Sequence, residues 1–112
     1  MASVREMIRA AQSEMRTTSP TPERANELLW HLTALIGNCN EEIREADMDY
    51  ARVLLEHLEQ DETANRAKIR AETTPEFLRK REARDTKELC TEIVRSLKIF
   101  LRGLQEEMRL SR

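Results

Sequence analysis

Glycine, proline, cysteine, histidine and aromatic residues are all scarce in this 112-residue chain. It holds two glycines, three prolines, two cysteines and two histidines, and aromatics make up 4%. Gly37 and Gly103 stand too far apart for a glycine-rich phosphate-binding loop. His31 and His57 are too few and too widely spaced for a catalytic triad or a zinc site. Cys39 and Cys90 make no disulfide framework. No apolar run approaches the ~20 residues of a membrane span. The opening MASVREMIRAAQSEM is amphipathic and carries Glu6 and Glu14, unlike a signal or transit peptide. A cytoplasmic protein is therefore expected, with no cofactor, no metal, no membrane and no small-molecule substrate. The net charge of -2 gives no overall nucleic-acid signature.

Charged residues are abundant, at 36%, and Glu, Arg, Leu and Ala dominate, all of which favour helix. Apolar residues reach 39% and are periodic, so the chain does not read as disordered. The expected class is all-α: a single helical domain built on a long antiparallel, coiled-coil-like hairpin with an extra N-terminal amphipathic helix.

Proline marks the joints. Residues 1–16 form the first helix, with Val4, Ile8, Ala11 and Met15 on one face and Met7 beside them. TTSPTP follows as a linker over 17–21, with Thr21 as N-cap and Pro22 at the first position of the next helix. That helix is expected over 22–72. Its stripe Leu28, Leu32, Leu35, Cys39 continues as Ile43, Ala46, Tyr50, Val53, His57 after a step of four where three was due. Such a stutter unwinds a supercoil locally, and with Gly37 nearby it predicts a bend or break near 37–42. The second joint is IRAETTPEFLRKR. Thr74 can cap and Pro75 can open a helix over 75–110, leaving 73–74 as a turn.

Folding the last helix back about that turn sets Leu97 against Tyr50, Leu101 against Ala46, Leu104 against Ile43 and Cys90 against His57. Apolar meets apolar throughout. Between Glu41 and Glu62 nine acids stand against two bases, and Lys87, Arg95, Lys98 and Arg102 face them in this register. His57 beside Cys90 could offer two metal ligands, although a seam histidine next to a buried thiol is the commoner arrangement. The acidic pairs Glu42–Glu45 and Glu82–Asp85 match the letter of helical pyrophosphatase motifs, but this register holds them ~30 Å apart. With 21 Asp and Glu such pairs arise by chance, and no enzyme is expected.

Two surfaces remain as candidate sites. The first is a basic joint: Arg66, Lys68, Arg70, Arg79, Lys80, Arg81 and Arg84 oppose only Glu72, Glu76 and Glu82. As a solvated helix end it would do nothing; as a site it would hold nucleic acid or an acidic protein. Phe77 is its one aromatic, which gives little base stacking. The second is apolar: Leu29, Trp30 and Ala34 on the long helix, and the row Leu89, Ile93 and Phe100 on the last one. These pack under the first helix or form an oligomer interface, where tryptophan is enriched.

The pieces EADMDYARVLLEHL, ANRAKIRAET and REARDTKELCTEIVRSLKIFLRGLQEEMRLSR resemble small helical coiled-coil proteins of tailed phages and prophages. The resemblance covers about the last two thirds of the chain and leaves the Trp30 region outside. Such proteins often sit among early genes for recombination and replication. The resemblance implies a viral accessory protein of the host cytoplasm that binds a macromolecule. Nucleic acid, a host protein such as a defence nuclease, or the virion itself are the partners it leaves open.

Overall fold

A computed structural model describes residues 2–60 and 63–111. Among these residues every regular element is helical, and the order is α1 (Val4–Thr17), α2 (Pro22–Gln60), α3 (Ala64–Ala71) and α4 (Pro75–Leu110). The two long helices α2 and α4 pack against each other as an all-α hairpin, with α1 as the added N-terminal helix. By contacts the chain divides into two compact units. Unit 1 is Met1–Asn38 with Thr86–Arg112, and unit 2 is Cys39–Asp85.

The caps explain where the helices start. Ser3 accepts the amide of Glu6 at 3.1 Å and opens α1. Thr21 accepts the amide of Arg24 at 3.2 Å, and Pro22 takes the first position of α2, where a missing N–H costs nothing. Thr74 accepts the amide of Phe77 at 3.4 Å and donates back to the Ala71 carbonyl at 2.6 Å, so one side chain closes α3 and opens α4.

One expected helix is two. The span 22–72 is divided into α2, ending at Gln60, and α3, beginning at Ala64. Thr63 is the cause that can be named: its backbone is extended (φ -132, ψ 150) and its hydroxyl accepts the Arg66 amide. A threonine used as a cap competes with helix continuation. The bend or break expected at 37–42 is no break, because α2 is helical from Pro22 to Gln60. The boundary between the units, Asn38–Cys39, nonetheless falls at the stutter.

Unit 1 buries Val4, Ile8 and Ala11 of α1 with Leu28, Leu32 and Leu35 of α2 and Cys90, Ile93, Val94 and Leu97 of α4. The Cys90 thiol donates to the Leu32 carbonyl at 3.3 Å. Arg24 ties α2 to α1 by two bonds of 2.7 Å to the Glu14 carboxylate. The guanidinium holds that carboxyl below its ordinary value. Unit 2 buries Cys39, Ala46 and Tyr50 of α2, Ala67 and Ala71 of α3, and Ala83 of α4. Fully covered alanines let the short α3 lie close to its neighbours.

The hairpin register differs from the one read off the sequence. Tyr50 meets Phe77 instead of Leu97, and Cys90 meets Leu32 instead of His57. Acids of α2 are answered by Arg79 and Arg84. The slip is 20 residues at Tyr50 and 25 at Cys90, three heptads or slightly more. It follows from α3, which takes up residues that the simple hairpin spent on extending α2.

Candidate binding surfaces

In unit 2 the joint 72–74 and the first turns of α4 build a shallow cleft of about 420 Å³. Glu72, Thr73, Thr74, Pro75, Phe77, Leu78 and Arg81 line it. Below it Phe77 packs on Tyr50 at 5.4 Å between centroids, with the rings tilted by 47°. The Lys80 ammonium lies 4.5 Å over the Tyr50 ring, and the Arg81 guanidinium 6.0 Å over Phe77. Burial, then the Glu72 charge, raise the Tyr50 hydroxyl above its ordinary pKa.

The seven bases expected as one site do not share one role. Arg79 bonds Asp49 at 2.5 Å and lies 3.6 Å from Glu45, and Arg84 bonds Asp47 at 2.8 Å. Both guanidiniums are spent on fastening α4 to α2. Lys80 is half-buried over Tyr50. Arg66, Lys68 and Arg70 are exposed on α3, a helix with no acidic residue of its own, and Arg81 is exposed at the cleft. Three α2 carboxylates therefore face a joint that the sequence credited with seven bases against three acids, and they remove most of its excess.

Sequence reasoning missed the apolar side of this unit. Met48, Leu55, Leu58, Ile69 and Leu78 are 42–62% exposed. On α2, Met48, Ala51, Leu55 and Leu58 step 3-4-3, roughly opposite the buried Ala46–Tyr50 row. The pattern was present in the sequence, but the more continuous row through Ile43 and His57 masked it.

In unit 1 the six residues expected at an oligomer interface separate. Ile93 is 6% exposed and belongs to the core of unit 1. The reason is α1: Gln12, Met15 and Arg16 share a cleft of about 250 Å³ with Leu89, Glu92, Ile93 and Ser96. The first helix thus covers much of the row expected to meet a second subunit, and Leu89 and Phe100 are half-buried. Trp30 behaves oppositely. It is 79% exposed, so it does not pack under α1; Leu29 beside it is half-buried and Ala34 exposed.

The described residues hold no group of three or more His, Cys, Asp or Glu able to grip a metal ion, and none of the helices is long and apolar enough to cross a membrane. The observed register removes the ~30 Å separation read between Glu42–Glu45 and Glu82–Asp85. Arg79 and Arg84 reach the same stretch of α2 and place guanidiniums among these carboxylates. Comparison of the chain with protein-family models, curated proteins and solved structures returns no match.

Proposed function

We propose that this chain is a non-catalytic binding protein whose partner is another protein, gripped through the apolar outer surface of unit 2. The observation that carries the reading is the exposure of Met48, Leu55, Leu58, Ile69 and Leu78, the last of which lines an open cleft. Large apolar side chains left exposed in such number point to an interaction surface. The phage resemblance adds the setting: an accessory protein acting in a host cell, with inhibition of a host protein as its specific form. A role as a structural virion component would use the same surface.

A nucleic-acid role is the second reading, and α3 favours it, since Arg66, Lys68 and Arg70 are exposed along that helix. The pairing of Arg79 and Arg84 with α2 carboxylates weighs against it. A photoreactive residue placed at Leu78 or Leu55 of the full chain, in host cells, separates the readings. The expected product is an adduct that nuclease leaves intact and protease removes. A nuclease-sensitive adduct would transfer the proposal to nucleic acid. No adduct at either position would sink it.

A further inference from the structure

Between Glu27 and Glu41 the chain has no Asp, Glu, Lys or Arg, although 36% of its residues are charged. This neutral stretch of α2 is buried on one side only, through Leu28, Leu32, Leu35 and Cys39. On the other side Trp30, Thr33 and Gly37 step 3-4 along the helix, with Ala34 next to them, and all four are exposed. The face is sharply uneven. Trp30 is a large knob, 79% exposed. Two turns further on, a Cβ built at Gly37 would meet nothing within 4 Å. An indole exposed to water is costly unless something covers it.

We propose that the cover is a second copy of this chain, paired antiparallel through α2 about a twofold axis between Thr33 and Ala34. A twofold interface must match itself, patch against identical patch. This face does so in shape: each indole lies over Ala34 and Gly37 of the other copy, where the missing side chain leaves room. The neutral centre opposes no like charges, while at each end Glu41 of one copy comes level with Asn26, next to Glu27, of the other. At its two ends the pairing sets Glu23 of one copy near Arg44 of the other, and both side chains are exposed. The other exposed apolar stripe of α2 has no such neutral centre. Around Leu55 and Leu58 it carries Glu56 and Glu59, which twofold pairing would bring towards their own counterparts. The association of tryptophan with interface centres agrees with the choice.

The test needs only the full chain. Sedimentation at loadings up to about 100 µM should give a dimer, and dilution should shift the emission of the single tryptophan towards the red. Gly37→Leu should fill the hole and raise the dimer dissociation constant at least about tenfold, with helicity and melting of the monomer kept or increased. Trp30→Ala should do the same. Glu23→Arg should weaken the dimer, and adding Arg44→Glu should restore it. A cysteine at Ala34 should cross-link to its own counterpart, whereas a cysteine at Glu23 should cross-link only to one at Arg44. A monomer at every concentration would overturn the proposal. So would a dimer that Gly37→Leu and Trp30→Ala leave unchanged, or cross-linking of Glu23→Cys to itself, which would mean parallel pairing.

Discussion

Tyr50 shows how one residue joins packing to ionisation. Its ring is held between Phe77 and the Lys80 ammonium, and its residue is 8% exposed. Burial first, and the Glu72 charge second, keep its proton on above the ordinary value of 10.0. Between the ordinary and the raised value the folded state keeps the proton and the unfolded state loses it. The stability present below about pH 10 is therefore lost as pH rises through the folded value. Since the chain has one tyrosine, ultraviolet titration reads it alone. The expected curve lies above the ordinary one, and Tyr50→Phe should move alkaline unfolding to higher pH. Leu97 gives the apolar counterpart. It is 0% exposed, and Leu97→Ala should cost about 2–5 kcal/mol in chemical denaturation. Ile99→Ala, at a side chain 62% exposed, should cost far less. Similar losses at both would contradict this core.

At the scale of elements the decisive feature is Thr63. Its hydroxyl opens α3, and with α3 in place the register of α4 on α2 moves by about three heptads. Thr63→Ala should cost about 1 kcal/mol, the usual worth of such a cap, and should speed hydrogen exchange in α3 more than in α2. Equal, slow exchange across α3 with the cap removed would mean that the cap does not hold it. The signal was in the sequence, as a threonine followed by Ala64, Asn65 and Arg66. It was hidden by the alanine row Ala64, Ala67 and Ala71, which extends the α2 seam in period. The caps at Thr21 and Thr74 were legible because a proline follows each.

For the molecule as a whole the question is whether charge selects the partner. Replacing Arg79, Lys80 and Arg81 together by glutamine removes the Asp49 and Glu45 bridges, the half-buried Lys80 ammonium over Tyr50 and the exposed Arg81 guanidinium over Phe77. Exposed ion pairs contribute little, so melting should fall by no more than a few degrees. DNA binding by the unaltered chain should be weak, because α2 carboxylates already occupy Arg79 and Arg84. A gel-shift series in rising salt checks this. A steep salt slope that flattens in the triple variant would restore the basic joint as a nucleic-acid site.

The sequence by itself determined the helical class, the start of each proline-capped helix and the buried faces of α1 and of the α2 stripe. These follow from local rules: caps, propensity and a period near 3.6 act within a few residues. It could not determine which turn of α4 meets which turn of α2. Apolar rows repeat every seven residues, so a slip of three heptads matches apolar to apolar as well as the register first read. Nor could it tell covered apolar residues from bare ones. Ile93 and Trp30 both read as interface residues, and only the position of α1 put one in the core and left the other exposed. The joint followed the same logic. Its seven bases were visible in the sequence, but their surplus depended on carboxylates thirty or more positions away, which only the observed packing brought to Arg79 and Arg84.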